Sequence, residues 1–321
     1  GGYTKATSQG IYLSELQEER VTTPALRVKI ENPTYFQIDH KQQLFSVMKD
    51  QDQGGVGLVN LFVNPGEIVA THLEVGAPPA YVGLNEAAQE IYLANYHEAT
   101  LQVLSYADQK LTLVAETTHE GSGPLVEQQS AHPHYFDRTP TGELVSCDLG
   151  TDQVEFYQLE ADKLVPVAIY QNQKGFGTRH LVFHPTHPEI MFVLGELSSS
   201  LNVVKRNDQT SFTDLGTYAT VAETHEGHNG AAAILISPDG KYLYVSNRGE
   251  DTLVVFKINQ TDFSLQLIQR ISTEGSFPRD FNWDPSTKYV VAANQTTNNA
   301  SLYQRNLETG FLTLLQKDIE V

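Results

Sequence analysis

The chain has little cysteine and no long apolar run. Its 321 residues include one cysteine, Cys147, so an internal disulfide bond is excluded and a reducing compartment is expected. Cys147 lies in the apolar run LVSCDL, which predicts a buried packing residue rather than a nucleophile. A membrane span needs about 18 consecutive apolar residues, and no such stretch or signal peptide is recognisable. We therefore expect a cytoplasmic protein without a membrane segment.

Basic residues are also scarce. The chain has 21 Lys and Arg residues against 39 Asp and Glu residues, which gives a formal net charge of −18. Such a surface repels nucleic acid and anionic membranes, so neither is expected as a partner. We expect a monomer or a weak oligomer. Because arginine is rare here, any local group of arginines is informative.

Several familiar signatures are missing. No segment keeps a helical hydrophobic period over about a dozen residues, and WD dipeptides do not recur. The glycine loops at 121–123 and 175–177 lack the Lys-Ser/Thr of a phosphate-binding loop. The run 225–228, HEGH, lies in a Gly/Asn-rich loop rather than on a helix, and no carboxylate or cysteine cluster accompanies His132 and His134. We expect neither a metal site nor a cofactor.

The chain instead repeats one pattern six times. The copies lie 45 to 54 residues apart, a period typical of propellers and solenoids. Each has three or four short runs rich in β-branched and aromatic residues, separated by turns such as SPDGK and TPTGE. Four antiparallel strands per repeat form a propeller blade. The copies begin at Pro33, Pro79, Pro133, Thr178, Gly230 and Pro278.

Residues 1–32 add further strands. GIYLSEL matches the third strand of a repeat and ALRVKIEN its fourth, while the last run, FLTLLQKDIEV, is itself a fourth strand. An innermost strand is therefore expected to follow it and to pair with the N-terminal strands. The prediction is an all-β, seven-bladed β-propeller over 1–321 as a single domain, clipped at both ends. Each blade has four antiparallel strands, and the N- and C-terminal strands close the structure.

Positions at which the repeats differ point to function. The residue after each start is Thr34, Ala80, His134, Arg179, Ala231 or Arg279, so three repeats carry an ionisable side chain there. At the turn after the second strand, Glu196 and Arg248 stand out. In a four-stranded blade both positions lie at one edge, so these five ionisable residues are expected to meet at one channel mouth. The alternative is a set of structural ion pairs, such as Glu196 with Arg179. His180, His184 and His187 are interpreted as structural.

Four segments carry a family resemblance. They are HPHYFDRTPTGELVSCDLGTDQVEFY (132–157), GFGTRHLVFHP…LGELSSSLNVV (175–204), HNGAAAILISPDGKYLYVSNRGEDTLVVF (228–256) and FPRDFNWDPSTKYVVAANQ (277–295). These segments resemble the seven-bladed bacterial 6-phosphogluconolactonase family, which includes the fungal carboxymuconate lactonising enzymes. The chain departs from that family's pattern at Thr178, where proline is usual, at Gly195, where asparagine is usual, and at Glu127, where arginine is usual.

The resemblance implies a lactonase of the pentose phosphate pathway that acts on an anionic sugar lactone. Catalytic roles fall on His134, Glu196, Arg179 and Arg248, with His134 or Glu196 as the general base. The two arginines are expected to hold the oxyanion or a carboxylate, and Arg279 a distal phosphate. His132 is expected to bind substrate through hydrogen bonds. The alternatives are a muconate-type cycloisomerase, a hydrolase of another lactone, or a protein-binding propeller without activity.

Overall fold

The computed structural model describes residues 2–5 and 7–321, and these are almost entirely β-strand and turn. The first sixteen strands are β1 (Gly10–Leu13), β2 (Leu16–Gln17), β3 (Arg20–Val21), β4 (Ala25–Lys29), β5 (Phe36–Ile38), β6 (Gln43–Asp50), β7 (Gln53–Asn60), β8 (Glu67–Val75), β9 (Tyr81–Asn85), β10 (Glu90–Asn95), β11 (Thr100–Ala107), β12 (Lys110–Thr118), β13 (Pro133–Arg138), β14 (Leu144–Asp148), β15 (Gln153–Glu160) and β16 (Lys163–Gln171). A single 3₁₀ turn at Val126–Gln128 precedes β13 in the described part of the chain.

Twelve further strands follow in the second half of the chain. They are β17 (Thr178–His184), β18 (His187–Gly195), β19 (Ser200–Arg206), β20 (Phe212–Ala219), β21 (Gly230–Ile236), β22 (Tyr242–Arg248), β23 (Thr252–Ile258), β24 (Leu265–Ser272), β25 (Pro278–Trp283), β26 (Tyr289–Asn294), β27 (Asn299–Arg305) and β28 (Leu312–Glu320).

The chain divides into two compact units. The first comprises the described residues up to Leu13 together with Ala25–Gly175, and it contains the four-stranded sheets β5–β8, β9–β12 and β13–β16. The second comprises Ser14–Pro24 and Phe176–Val321, with the sheets β17–β20, β21–β24 and β25–β28. Each sheet is an antiparallel meander in chain order, which is the form of a propeller blade.

Strand alternation builds the core inside each unit. In β22 and β23, Leu243 and Val254 lie in a core cluster toward β17–β20, while Tyr244 and Val255 face β25–β28. Successive side chains on a strand point to opposite faces, so each sheet supplies apolar groups to both neighbours. This sandwiching explains why the strands read as nearly continuous apolar runs.

The N-terminal segment corrects the predicted blade count. Within the described residues there are six four-stranded sheets, not seven, because β1 pairs with β4 alone in a two-stranded sheet. The pairing of β1 with β4 shifts register at a bulge between Ile11 and Tyr12. The pairing of the third strand with the fourth shifts register in the same way in all six four-stranded sheets. The segment thus supplies the third and fourth strands that its sequence predicts and does not supply a complete blade.

The hairpin β2–β3 belongs to the second unit. The backbone N–H of Val21 donates to Gln316 Oε1 on β28 at 2.8 Å. Val21 also packs against the apolar cluster formed by Ala300, Leu302 and Ile319. The hairpin therefore covers the outer face of the last sheet.

Candidate active site

Bulges in the first strands carry the charged residues that differ between repeats. On β17 the pairing with β18 passes from Thr178 to His180, so Arg179 is the extra residue of a β-bulge. His134 on β13 and Arg279 on β25 occupy the same kind of bulge. A bulge bends its strand and re-aims a side chain, and bulges are frequent beside active sites. The fold therefore turns these three side chains away from the regular ladder.

The same comparison corrects one position of the repeat alignment. On β21 the pairing with β22 steps from Ala231 to Ile234. The residue that corresponds to Arg179 is thus Ala232, one place later than the sequence comparison suggests. Because its side chain is a single methyl group, this strand contributes backbone rather than charge to the site.

The buried Arg179 and Arg248 form an ion-paired triad with the partly exposed Glu196 in the second unit. Arg179 Nη1 lies 2.5 Å from Glu196 Oε2, and Arg248 Nη2 lies 2.7 Å from Glu196 Oε1. Each carboxylate oxygen therefore holds one guanidinium. Both arginine residues are about 5% exposed or less. Hydrogen bonds between oppositely charged groups are stronger than those between neutral groups.

Backbone carbonyls of β21 fix the other edges of the two guanidiniums. Arg179 Nε donates to Ala232 O at 2.7 Å, and Arg248 Nε donates to Gly230 O at 3.1 Å. The Arg248 guanidinium also lies over the Phe277 ring, 5.1 Å from its centroid. Both cations are therefore held in a defined orientation before any ligand binds.

Gly230 is needed for this packing. A Cβ at Gly230 would lie 2.9 Å from Arg248 Nη2 and 3.5 Å from Glu196 Cγ. The first distance is closer than ordinary van der Waals contact, so a side chain here would displace the guanidinium. The glycine at the head of β21 thus serves the triad rather than a turn.

The triad fixes the protonation state of Glu196. Burial works to raise the pKa of this carboxyl, but the charges of Arg179 and Arg248 lower it to about 2. Burial and the neighbouring charge of Arg179 lower the pKa of Arg248 to about 10, against the opposing effect of Glu196. Glu196 and Arg248 are therefore both charged at neutral pH. A carboxylate that is held so firmly in its ionised form is a weak proton acceptor.

Two further ionisable residues join this group, and the sequence comparison missed both. Burial, together with the charges of Arg179, Arg279 and Arg248, lowers the pKa of His180 well below its ordinary value. Asp280 is exposed on β25, and the charges of Arg179 and Arg279 both act on it. Each residue directly follows a bulge arginine. A comparison of the repeats at this second position, where the first unit has tyrosines, would have found them.

The predicted histidines lie in the first unit. His132 Nδ1 lies 2.9 Å from Tyr96 O, and the His132 and Tyr96 rings stack with centroids 4.4 Å apart. His134 meets the Tyr96 ring edge-on at 5.8 Å and is buried. The expected meeting of His134 with the arginine residues stays a prediction, as does substrate binding by His132.

A buried network supports the strand that carries these histidines. Asp148 Oδ1 accepts the backbone N–H of His132 at 2.9 Å, and Asp148 Oδ2 lies 2.7 Å from His119 Nδ1. The Tyr157 hydroxyl lies 2.7 Å from the other ring nitrogen of His119 and donates to Glu155. Burial lowers the pKa of His119, but the bond to Asp148 and the charge of Glu155 outweigh it, so the pKa is raised. The network anchors the entry to β13.

The remaining predictions concern isolated residues. Cys147 is a buried free thiol, as predicted for a packing residue, and burial raises its pKa well above the ordinary value. In residues 2–5 and 7–321 no group of three or more His, Cys, Asp or Glu side chains could hold a metal ion. Over the same residues no helix has the length and apolarity of a membrane span. His184 is structural, since its Nε2 lies 3.2 Å from Gly240 O.

Known proteins that resemble this chain include some described as lactonases. A family model described as "Lactonase, 7-bladed beta-propeller" matches residues 1–321. A 6-phosphogluconolactonase of Bacillus subtilis is 34% identical over 330 residues, covering 100% of this chain and 94% of that protein. The prediction of a lactonase is thereby confirmed.

Two solved structures extend the match to three dimensions. A Lactobacillus plantarum protein is 44% identical with a TM-score of 0.96, covering 100% of this chain and 95% of that one. A periplasmic gluconolactonase of Pseudomonas aeruginosa, PpgL, is 27% identical with a TM-score of 0.90 and covers the same shares. The predicted cytoplasmic location is not tested by these relatives, one of which is periplasmic by name. The chain belongs to the seven-bladed β-propeller lactonase family.

Proposed function

We propose that this protein hydrolyses an anionic sugar lactone, with 6-phosphogluconolactone as the first substrate to test. The observation that carries the proposal is the pair of buried guanidiniums clamped on either side of the ionised Glu196. With Arg279 in the same unit, positive charge exceeds negative charge locally in a chain whose net charge is −18. The Bacillus relative named as a 6-phosphogluconolactonase supports this substrate, which belongs to the pentose phosphate pathway.

The arginines suit the charge that develops during ester hydrolysis. Water attack on the lactone carbonyl creates an oxyanion, and a guanidinium offers a planar fork of donors that stays charged. Arg179 and Arg248 would receive this oxyanion, while Arg279 holds the phosphate or carboxylate that makes the substrate anionic. Removal of one oxyanion donor typically costs about 10²–10³ in kcat.

Glu196 serves as a counter-ion in this scheme. Both of its oxygens contact arginines, and its pKa of about 2 leaves it ionised throughout the working range. It aligns the two guanidiniums and limits the repulsion between them. This role differs from the general base expected from the sequence. His134 keeps its candidacy for proton transfer as a prediction.

The test is hydrolysis of freshly generated 6-phosphogluconolactone, corrected for spontaneous opening and repeated with a chelator. We expect chelator-resistant acceleration that falls at least about 10²-fold in Arg179→Ala. Arg206→Ala is the matched control, because Arg206 lies in the same unit and its guanidinium donates to Gln209 O in a surface turn. Equal losses in both variants would contradict the assigned site. No acceleration by the wild-type protein would reject this substrate and turn the search to muconates and other anionic lactones.

A further inference from the structure

Phe277 carries the ring that lies over the Arg248 guanidinium, and its backbone is unusual. The guanidinium carbon is 5.1 Å from the ring centroid. Phe277 has a φ of +67°, in the left-handed region that a bulky side chain rarely adopts. A residue before proline favours an extended backbone, and Pro278 follows here. The chain therefore departs from its local preferences at the residue whose ring contacts the triad.

Hydrogen bonds on both sides hold the Phe277 backbone in this conformation. Its N–H donates to Asp251 Oδ1 at 2.7 Å, and its carbonyl oxygen accepts the backbone N–H of Gln295 at 2.9 Å. Strained backbone of this kind persists only where the surrounding contacts impose it, and it is concentrated at functional sites. Here the result of the imposed conformation is a half-buried ring placed over Arg248.

Asp251 ties Phe277 to the strand that carries Arg248. The same Oδ1 atom accepts the backbone N–H of Gly249, the residue after Arg248, at 3.1 Å. Asp251 is itself fixed, because its carbonyl oxygen accepts the backbone N–H of the buried Thr273 at 2.9 Å and the Thr273 hydroxyl at 3.0 Å. One carboxylate oxygen therefore links the backbone beside the arginine to the backbone that carries the ring.

The ring restrains a motion that the polar contacts of Arg248 restrain less. Arg248 Nε donates to Gly230 O, and Arg248 Nη2 contacts Glu196 Oε1. These contacts act near the plane of the guanidinium, because its N–H donors lie in that plane. An aromatic ring over the face resists tilting out of the plane and adds a cation–π attraction. Phe277 therefore completes the orientation of this cation.

We propose that Phe277 is a positioning residue for Arg248 and that Asp251 holds it in place, an inference that rests on the proposed lactonase function. Water attack on the lactone places negative charge on the carbonyl oxygen, and the guanidinium must meet that charge in a fixed orientation. Because misplacement by about 1 Å can cost about 10²-fold in rate, a tilted arginine loses transition-state stabilisation while substrate still binds. Phe277 and Asp251 act through Arg248 and need not touch the substrate.

The kinetic test is a double-mutant cycle on the hydrolysis of 6-phosphogluconolactone. Phe277→Leu should lower kcat about tenfold at an unchanged KM, and Phe277→Tyr, which keeps the ring face, should retain wild-type kinetics. In an Arg248→Ala background Phe277→Leu should cause no further loss, because a positioning residue acts only through its target. Phe263→Leu is the matched control and should keep wild-type kinetics. Phe263 is also half-buried with a φ of +60°, but its ring packs against His184 and His187.

A spectroscopic readout tests the orientation of Arg248 without substrate. The Nε–H resonance of Arg248, assigned by its loss in Arg248→Lys, should shift in Phe277→Leu because the ring current of the phenyl group is gone. A shift in the same direction is expected in Asp251→Ala, which releases the Phe277 N–H. Asp251→Asn keeps an acceptor oxygen at this position and should leave both the resonance and kcat near their wild-type values.

The outcomes separate the positioning role from the proposed function. An equal loss for Phe277→Leu with and without the Arg248 side chain, or an unmoved Arg248 resonance in Phe277→Leu, would overturn the positioning role. No acceleration by the wild-type protein would instead overturn the proposed function and the catalytic consequence drawn from it. The resonance would then still decide whether the Phe277 ring orients the guanidinium.

Discussion

The Glu196→Gln substitution tests the energetics of the triad directly. The pKa of Glu196 falls from an ordinary 4.5 to about 2 in the folded protein. A difference of this size corresponds to about 3 kcal/mol of favourable interaction with Arg179 and Arg248. Because the substitution leaves two buried guanidiniums without their counter-ion, we expect about 3 kcal/mol of lost stability at pH 7.

The pH dependence of this loss follows from the direction of the shift. A carboxyl with a depressed pKa stabilises the fold above its unfolded pKa, and that contribution disappears as pH falls through its folded pKa. The difference between wild type and Glu196→Gln should therefore be constant above about pH 5 and vanish near pH 2.

Denaturant unfolding followed by tryptophan fluorescence provides the assay. The single tryptophan, Trp283, lies on β25 in the second unit, so its emission reports on the unit that holds the triad. Glu308→Gln, an exposed turn substitution, is the control and should change the free energy of unfolding by less than about 0.5 kcal/mol. A Glu196→Gln protein as stable as wild type at pH 7 would refute the assigned coupling.

Two further substitutions probe the packing around the candidate site. Gly230→Ala places a methyl group 2.9 Å from Arg248 Nη2. We therefore expect kcat/KM to fall about tenfold or more, while the free energy of unfolding changes by about 1 kcal/mol. Steady-state kinetics and the unfolding assay measure the two effects separately, and an unchanged kcat/KM would show that the guanidinium is not displaced. Tyr157→Phe removes the hydroxyl that contacts His119 Nε2 and leaves this buried ring nitrogen without a hydrogen bond. We expect the free energy of unfolding to fall by about 1–3 kcal/mol. Thermal unfolding measures this loss, and an unaltered Tm would contradict the role of the network.

The repeat pattern predicts the blades well because its signals are local. Four of the six expected starts are the first residues of strands, at Pro133, Thr178, Gly230 and Pro278. Turn residues and β-branched runs determine turns and strands within a single repeat, so these elements can be predicted without knowledge of tertiary contacts. The blade count fails at the N-terminus, where a two-stranded sheet stands in place of a full one.

The candidate site is less accessible from sequence. Arg179, Glu196 and Arg248 are recognisable because each departs from its repeat, and the structure does bring these three together. The ion pair between Glu196 and Arg179, which the sequence offers as a purely structural alternative, is present and belongs to the same triad. The influence of Arg179 on Asp280 arises only in the folded chain, so no linear pattern encodes it.

Three first strands carry a charged residue at a β-bulge. The bulge makes the choice of that residue independent of the apolar residues that pack the core. Core side chains such as Phe281 keep their alternation on either side of Arg279 because the extra residue is absorbed by the backbone. A substitution at the extra residue therefore leaves the apolar layers between sheets intact. At such bulge positions one functional side chain can be replaced by another while the packing of the sheets is preserved.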